Sequence, residues 1–333
     1  MKKTIKVELK EKVMKEVLFL NPVFQERIWG GNRLHEEFGY EIPSDKTGEC
    51  WAISGHKNGE ATIKNGEWKG ESLAHLYANH PEFFGEKEKG QNFPLLVKVL
   101  DAKADLSVQV HPGDEYAQEF EGELGKTECW YVLDCQPNAK IVYGHNAKTK
   151  EELKTWIEEG KWSELLHEVP VQKGDFFYVP SGMVHAIGEG IMILEIQQSS
   201  DTTYRVYDYD RKDDAGNLRE LHLKQALDVI TVPCEYPVCK KIEEHRKGGV
   251  VTTLAEEHYF SVYRWDIDGI FHWQQKAPYT LVSIIDGAGR LIVDSTSYEL
   301  QKGDHFLLPY DVTDTQWEGK FTAVLANNSQ KRA

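Results

Sequence analysis

Positive charge is scarce in this sequence. Its 333 residues include 39 Lys and Arg against 54 Asp and Glu, which gives a formal net charge of −15 at pH 7. A nucleic-acid-binding protein needs a basic stripe to neutralise phosphates, so nucleic acid is excluded as a partner. A phosphorylated small molecule is compatible with this charge only if basic side chains gather locally in a pocket.

Cysteines and long apolar runs are also few. The five cysteines are an odd number and include no Cys-x-x-Cys pair, which is typical of reduced thiols in a cytoplasmic protein. No stretch reaches the roughly 18 apolar residues of a membrane span. Glu8, Glu11 and Glu16 interrupt the basic start, so it lacks the apolar core of a secretion signal. We therefore expect a cytoplasmic protein with no membrane partner.

Short strands dominate the rest of the pattern. β-branched and aromatic runs separated by Gly, Pro, Asn and Asp are typical of a sandwich or barrel. Strands are predicted at residues 93–100, 105–110, 128–133, 140–143, 175–179, 191–197, 260–265, 280–285, 290–293 and 306–308. Apolar residues at three- and four-residue spacings predict helices at 71–84, 148–166 and 221–230. The length suggests about two domains, and the charged segment 240–249, which ends in Gly-Gly, is a plausible boundary.

An internal repeat supports two β barrels. The segment VQKGDFFYVP at 171–180 matches LQKGDHFLLP at 300–309, and each follows a strand that ends in Asp. The Gly permits a tight turn and the Pro marks the end of the strand. The two copies differ where chemistry is expected: His185 follows the first, whereas no His follows the second, and Thr280 takes the place of Glu128.

Three strands of the first half carry potential metal ligands. The two-residue period of a strand places Ser107, Gln109 and His111 on one face. The same rule places Lys126 and Glu128 together on the next strand, and His185 follows the Gly-Asp turn. A lone His on a strand is usually a hydrogen-bonded structural residue. His111, Glu128 and His185, with Gln109 as a possible fourth member, instead form a nitrogen and oxygen set that suits zinc.

These blocks resemble a known family. The segments QVHP (109–112), GKTECW (125–130) and PSGMVHA (180–186) look like the signatures of the type I phosphomannose isomerases, members of the cupin superfamily. RIWGG (27–31) and QQSSDTTYRVYDYDR (197–211) are similar to the short bacterial branch, from about residue 21 to the C-terminus. One departure is Cys50, where relatives often have Ser.

The resemblance implies a mainly β fold of two cupin-like jelly-roll barrels with inserted helices. It implies a metal-binding catalytic domain at 21–240 and a second cupin-like domain without metal ligands at 241–333. Residues 1–20 are left as an N-terminal extension of unknown role. The implied activity is the zinc-dependent interconversion of mannose 6-phosphate and fructose 6-phosphate through an enediol, with one Zn²⁺ per chain and a sugar phosphate as the partner. The sequence gives no oligomeric state.

The resemblance also assigns roles to individual residues. The implied metal ligands are His111, Glu128 and His185, with Gln109 the least certain. Arg205 matches the catalytic arginine, and Asp201 and Lys126 match residues that assist proton transfer. The positions that match the surroundings of the sugar phosphate are Ser107, Lys98 and Arg211.

The general base is left open by the residues themselves. Lys126 is expected to project into the cavity, where burial and a nearby cation would lower its pKa. Glu49 is a second candidate. If the strand after Glu195 runs on without a bulge, Asp201 and Arg205 share one face, and Asp201 would orient Arg205.

Two other functions fit parts of the pattern. Similar His and Glu sets also serve iron-dependent oxygenases, which would consume oxygen. A sugar-binding or storage barrel without catalysis would fit two barrels of which one lacks ligands, and it would bind sugar phosphate without hydrogen exchange at C2.

Overall fold

Antiparallel strands form most of the regular structure, as the sequence pattern predicts. The computed structural model describes residues 15–85, 92–213 and 215–328. The strands in chain order are β1 (Leu18–Asn21), β2 (Val23–Gly31), β3 (Thr47–His56), β4 (Gly59–Glu60), β5 (Thr62–Ile63), β6 (Leu95–Ala102), β7 (Val108–Val110), β8 (Glu128–Cys135), β9 (Lys140–His145), β10 (Leu166–Pro170), β11 (Phe176–Val179), β12 (His185–Ile187), β13 (Ile191–Gln198), β14 (Tyr204–Tyr207), β15 (Ile242–Arg246), β16 (Gly249–Glu256), β17 (Phe260–Gln274), β18 (Thr280–Val293), β19 (Thr296–Gln301), β20 (His305–Leu308) and β21 (Asp314–Asn328).

Short helices are inserted between these strands. They are α1 (Arg33–Phe38), α2 (Leu73–Asn79), α3 (Asp114–Phe120), α4 (Lys150–Glu158), α5 (Trp162–Leu165) and α6 (Leu223–Val229), with a 3₁₀ turn at Pro81–Phe84. The predicted helix 71–84 divides before Pro81, and the predicted helix 148–166 divides at Gly160, which has a left-handed φ of 65°. Within the described ranges, none of the helices has the length and apolar character needed to cross a bilayer.

Two sheets face each other to form the first barrel. One has the order β11-β8-β13-β6-β3-β2, with β4 on β3, and the other has the order β10-β9-β12-β7-β14. Trp130 and Ile193 of the first sheet pack against Ile141 and Ile187 of the second. Helices α4, α5 and α6 cover the outer face of the five-stranded sheet, and Val108 and Val110 pack there. The interior between the sheets is therefore closed on both sides.

The second barrel is a nine-stranded sheet with the order β15-β16-β17-β21-β18-β20-β1-β5, with β19 on β18. Its surface packs against the outer face of the seven-stranded sheet of the first barrel, and both surfaces belong to one buried cluster. The predicted boundary at 240–249 contains β15 and the turn that leads into β16. The division at residue 20 falls inside β1, which pairs with β20, while residues 1–14 lie outside the described part of the chain. The domain boundaries stay a prediction.

The internal repeat has the same geometry in both barrels. Gly174 and Gly303 adopt left-handed φ angles of 89° and 94° before β11 and β20. In the first barrel Val179 pairs with Glu128, and in the second Leu308 pairs with Thr280. Val179 and Leu308 are equivalent positions of the repeat, so Thr280 occupies the place of Glu128, as the sequence comparison predicts.

A buried polar chain links the two barrels. The Tyr40 hydroxyl donates to the carbonyl of Gly303 at 2.9 Å and lies 2.8 Å from His305 Nε2. The other ring nitrogen of His305 is 2.8 Å from the Ser283 hydroxyl. Burial lowers the pKa of His305 to about 3, so this imidazole is neutral in the folded protein.

His305 should make the stability depend on pH. Below about pH 6.5 the unfolded chain takes up a proton at this residue, while the folded protein does not. The contribution of His305 to the free energy of unfolding is therefore complete above that pH and decreases as the pH falls towards 3. Between pH 7 and pH 5 we expect the free energy of unfolding to fall by about 2 kcal/mol from this group. Urea denaturation of the wild type and of His305→Asn should give a shallower pH dependence for the variant, and equal slopes would contradict the assignment.

Candidate metal centre

A polar cavity of about 250 Å³ lies inside the first barrel. Its wall comes from both facing sheets and from the segments that follow β13 and β14. The residues that line it are Arg27, Trp29, Glu49, Lys98, Leu100, Leu106, Ser107, Gln109, Lys126, Glu128, Trp130, His185, Ile187, Glu195, Asp201, Thr203, Arg205 and Arg219.

Three potential metal ligands converge beside this cavity. His111 Nε2 is 3.4 Å from Glu128 Oε2, His185 Nε2 is 3.4 Å from Glu128 Oε1, and the two Nε2 atoms are 3.1 Å apart. A tetrahedral zinc site with bonds of 2.0–2.1 Å separates its ligand atoms by about 3.3 Å. Each of the three residues is at most 1% exposed. In the described ranges this is the one group of His, Cys, Asp and Glu side chains with the spacing of a metal site.

The hydrogen bonds of the two imidazoles direct their free electron pairs to the same point. His111 Nδ1 is 2.9 Å from the Thr202 carbonyl, and His185 Nδ1 is 2.9 Å from the Met183 carbonyl. A carbonyl oxygen only accepts hydrogen bonds, so each Nδ1 carries the hydrogen and each Nε2 keeps its lone pair. Burial and neighbouring Lys126 lower the pKa of both histidines, so they are neutral. Two facing lone pairs beside a carboxylate fit a bound cation.

Glu128 is ionised although it is fully buried. Burial alone would raise its pKa, but the charge and the hydrogen bond of Lys126 lower the pKa below its ordinary value. Lys126 Nζ donates to Glu128 Oε2 at 2.7 Å, and the Trp130 indole donates to Glu128 Oε1 at 3.0 Å. Glu195 accepts from the same indole at 3.3 Å. Burial and the charge of Glu128 raise the pKa of Glu195.

Lys126 projects into the cavity as predicted, and two neighbouring carboxylates determine its charge state. Its Nζ lies 3.0 Å from His111 Nε2 as well as 2.7 Å from Glu128. Burial lowers the pKa of Lys126, but the carboxylates of Glu128 and Glu195 outweigh burial and raise the pKa above its ordinary value. Among these side chains Lys126 is an ammonium, and it donates to the electron pairs that a metal ion would use. The lowering expected beside a bound cation stays a prediction.

Strand pairing aligns three further side chains beside the ligands. Gln109 pairs with His185 on one side and with Arg205 on the other, so these residues form a row across the five-stranded sheet. The Gln109 amide nitrogen lies 3.3 Å from His185 Nε2, close to the ligand group. Ser107, two residues along the chain, lines the same cavity. The face that the sequence period predicts is thus present in the structure.

The strand after Glu195 does not run on to Arg205. β13 ends at Gln198, and β14 begins at Tyr204 in the opposite sheet. Asp201 accepts a hydrogen bond from the Asn58 amide at 2.9 Å, whereas Arg205 Nη1 donates to the Glu220 carbonyl at 2.7 Å. Both Asp201 and Arg205 line the cavity. The expected orientation of Arg205 by Asp201 is replaced by this backbone contact.

Glu49 and Lys98 form a charged cluster on another part of the wall. The Arg27 guanidinium donates to Glu49 at 2.8 and 3.2 Å, the Trp51 indole donates at 2.6 Å, and Lys98 Nζ lies 3.8 Å away. Burial raises the pKa of Glu49, but Lys98 and Arg27 outweigh burial and lower the pKa to about 2. A carboxylate this weakly basic suits the positioning of cations better than proton abstraction at neutral pH.

Arg211 does not line the cavity. Its guanidinium donates to Asp208 at 2.6 Å and to the Asp105 carbonyl at 2.7 Å. Arg219, which also holds Asp208, reaches the cavity wall instead. Arg219 was not predicted as a site residue, because nothing in its sequence surroundings distinguishes it from a surface residue.

Two further residues that line the cavity, Arg27 and Glu195, lie in sequence patterns that could have indicated them. Arg27 opens the RIWGG block, and Glu195 lies on the same face of its strand as Gln197. The tripeptide Glu-Cys-Trp also occurs twice, at 49–51 and 128–130. In both copies the indole donates to the carboxylate two residues earlier, on the same face of the strand. This pairing is a second sequence signal for Glu49 and Glu128, which the strand pattern and the family resemblance had already indicated.

Two antiparallel barrels, one of which encloses a His–Glu–His group, define a cupin protein with a candidate metal centre. Residues 17–153 match the model of the type I phosphomannose isomerase catalytic domain, and residues 250–328 match that of the mannose-6-phosphate isomerase cupin domain. The chain belongs to the type I phosphomannose isomerase family and is an enzyme of that family.

Individual relatives extend over nearly the whole chain. Mannose-6-phosphate isomerase ManA from Bacillus subtilis is 55% identical over 313 residues, which cover 94% of this chain and 99% of the relative. Mannose-6-phosphate isomerase from Streptococcus mutans is 52% identical over 320 residues, with coverages of 95% and 100%. The crystal structure of the mannose 6-phosphate isomerase from Bacillus subtilis superposes with a TM-score of 0.91 at 49% identity, with coverages of 93% and 99%.

The three-ligand group should bind a divalent metal ion. Replacing His185 by Ala removes one of three ligands, so we expect the affinity to fall by about 100-fold or more. A competition titration against a chromophoric chelator measures this. His145→Ala is a matched control, because His145 is buried but bonds the Thr231 carbonyl and does not line the cavity. Equal affinities of the wild type and both variants would contradict the site.

Proposed function

We propose that this protein interconverts mannose 6-phosphate and fructose 6-phosphate in a zinc-dependent reaction through an enediol. The observation that carries the proposal is the convergence of His111, Glu128 and His185 beside a cavity that also contains basic side chains. Relatives that are 55% and 52% identical bear the name mannose-6-phosphate isomerase. The cytoplasmic location stays a prediction.

His111, Glu128 and His185 are the residues that would hold the zinc ion. Gln109 is a candidate fourth ligand, since its amide lies 3.3 Å from His185 Nε2. A bound zinc ion supplies Lewis acidity, which polarises a carbonyl and stabilises the charge of an enediolate. One ion per chain is expected, because the described residues contain one such group.

Arg205 is proposed to stabilise negative charge on the reacting oxygens. Its guanidinium lies on the cavity wall, in the row that contains Gln109 and His185. Its Nε is buried and has no hydrogen-bond partner in the described part of the chain. A buried donor without a partner is costly unless a ligand satisfies it. A substrate oxygen at this position would accept from Arg205 and stabilise the transition state electrostatically.

Proton transfer is proposed to involve Lys126 and Asp201. As an ammonium, Lys126 can donate a hydrogen bond to a substrate hydroxyl or carbonyl, and it acts as a base only after it gives up its proton. Asp201 presents a carboxylate to the cavity and is held by Asn58 at 2.9 Å. Glu49 is the weaker candidate for the base, because Lys98 and Arg27 lower its pKa to about 2.

The sugar phosphate is proposed to extend away from the ligand group along β7. Ser107 lies two residues, or roughly 7 Å, beyond Gln109 on the same face. Lys98 projects into the cavity between Glu49 and Glu195. Ser107 and Lys98 therefore remain candidates for substrate binding. For Arg211 the structure offers no direct access to the cavity, and its role stays a prediction.

One assay tests the reaction and its metal dependence together. Formation of fructose 6-phosphate from mannose 6-phosphate is followed by a coupled enzyme assay, with the zinc content measured on the same sample. We expect activity that a chelator abolishes and that added zinc restores. Full activity of a metal-free protein would refute zinc dependence. Oxygen uptake without isomerisation would favour an oxygenase, and sugar-phosphate binding without hydrogen exchange at C2 would favour a storage protein.

Arg205→Ala should separate catalysis from folding. The variant should keep its zinc and fold, but kcat should fall by about 100- to 1000-fold, as it does when a donor to a developing oxyanion is removed. Arg205→Lys keeps the positive charge and should lose less activity. Steady-state kinetics, zinc analysis and thermal denaturation on the same samples check this. A near-wild-type kcat for Arg205→Ala would make Arg205 a structural residue.

A further inference from the structure

Three arginines surround a single buried carboxylate at the end of the cavity. Asp208 is 5% exposed and accepts hydrogen bonds from Arg219 Nε at 2.7 Å, Arg219 Nη2 at 2.5 Å and Arg211 Nη2 at 2.6 Å. Arg205 is the third arginine. Its pKa is lowered by burial and by the charge of Arg219, which outweigh the opposing effect of Asp208. With three guanidinium groups and one carboxylate, the cluster carries more positive than negative charge.

The backbone fixes the position of Arg219 beside Arg205. The His222 amide donates to the Arg205 carbonyl at 2.8 Å, and the Glu220 carbonyl accepts from Arg205 Nη1 at 2.7 Å. The segment that contains Arg219 is thus attached along β14. Both Arg205 and Arg219 line the cavity.

Arg219 is held along one edge of its guanidinium group and is open along another. The edge formed by Nε and Nη2 makes a two-point contact with the Asp208 carboxylate. Nη1 donates no hydrogen bond to any described residue, and the side chain is 23% exposed. A guanidinium held in this way can present two N–H groups to a second anion.

Arg219 lies on the side of the cavity towards which the phosphate end of a bound hexose 6-phosphate would extend. Arg205, Gln109 and His185 form one row of the five-stranded sheet. Val108 pairs with Tyr207, so Asp208 and the Arg219 guanidinium bound to it lie beyond that row, on the side of Ser107. The phosphate of a hexose 6-phosphate lies at the opposite end of the carbon chain from C1 and C2. With C1 and C2 at the ligand group, the phosphate points towards this cluster.

We propose that Arg219 binds the phosphate group of the substrate and that Asp208 is a positioning residue that holds Arg219 for this contact. The inference rests on the proposed function, because it takes a sugar phosphate as the ligand of the cavity. It adds a determinant of the preference for phosphorylated over free sugar, at a residue whose sequence surroundings carry no signal.

Arg219→Ala tests the contact. Loss of a charge-assisted hydrogen bond should lower kcat/KM for mannose 6-phosphate by about 10- to 100-fold, mainly through KM. The activity with unphosphorylated mannose should change much less, so the selectivity ratio should fall by a similar factor. Arg219→Lys keeps one positive charge and should recover part of the loss. An unchanged KM in Arg219→Ala would overturn the proposal.

A matched control exists in the second barrel. Arg264 is 26% exposed along its side chain and donates to Asp266 at 2.8 Å, but it does not line the cavity. Arg264→Ala should therefore leave the selectivity ratio unchanged. If it lowers the ratio as much as Arg219→Ala does, the effect of Arg219 is one of general stability and the proposal fails.

Asp208→Asn separates positioning from simple charge. Removing a negative charge next to the cavity would tighten phosphate binding if Asp208 acted only through its charge. If Asp208 positions Arg219, the substitution weakens binding, and KM for mannose 6-phosphate rises while kcat changes little. A lower KM in Asp208→Asn would overturn the positioning role. Thermal denaturation and zinc content show whether Asp208→Asn is folded. If this variant does not fold, Arg219→Lys tests the contact independently.

Calorimetric titration with inorganic phosphate separates this inference from the proposed function, because it requires no turnover. We expect the affinity of the zinc-loaded wild type for phosphate to fall by about 10-fold or more in Arg219→Ala. If the wild type isomerises sugar phosphate but both proteins bind phosphate equally, the role of Arg219 is refuted and the activity stands. If phosphate binding requires Arg219 but no isomerisation occurs, the proposed function fails and the anion site stands.

Discussion

The buried negative charge of Glu128 is the constraint on which the interior of the first barrel depends. A carboxylate removed from water costs several kcal/mol unless cations and hydrogen-bond donors surround it. Lys126 and the Trp130 indole occupy those positions, while the two imidazoles place lone pairs beside the carboxylate. Glu128 pairs across the sheet with Val179 and Gln197, so strand pairing fixes its place before any ligand is present. The fold thus creates a point of negative charge and free lone pairs that only a cation satisfies well.

The second barrel contributes to this site by burying the other face of the sheet. Cys129 and Ile196, which alternate with Glu128 and Glu195 along their strands, face outward and pack in the same cluster as Phe260 and Leu281 of the second barrel. Because both faces are covered, the strands that carry the ligands have little freedom to shift. The repeat gives both barrels the same Gly-Asp turn, but Thr280 replaces Glu128, and Phe306 and Trp317 belong to a buried aromatic core in the second barrel. One barrel retains a polar interior, and the other acts as its support.

Local periodicity predicted the parts of the site that lie on regular strands. Ser107 and Gln109 line the cavity because the two-residue period holds along β7, and Glu128 is placed correctly for the same reason. The prediction failed between Glu195 and Arg205, where the chain leaves one sheet and enters the other, so that counting residues no longer gives the face. The effect of neighbouring carboxylates on the charge of Lys126 could not be predicted from the sequence, because the pKa depends on the balance between burial and two carboxylates that only the folded chain brings together. Arg219 lies beyond reach of sequence reasoning for the same reason, since its hydrogen bonds to Asp208, 11 positions earlier, define its surroundings.

The distribution of charge explains how an acidic protein can accept a dianionic ligand. The net charge of −15 is spread over the surface, and salt screens it over about 8–10 Å. Five basic side chains line the cavity, namely Arg27, Lys98, Lys126, Arg205 and Arg219. Each of them contacts a carboxylate or a carbonyl. These contacts hold the cations in place without fully neutralising them, because Glu49 and Asp208 are each shared by two cations. A substrate phosphate therefore meets positioned positive charge at short range, where its interaction is strong, while the repulsion from the surface is weakened by distance and salt.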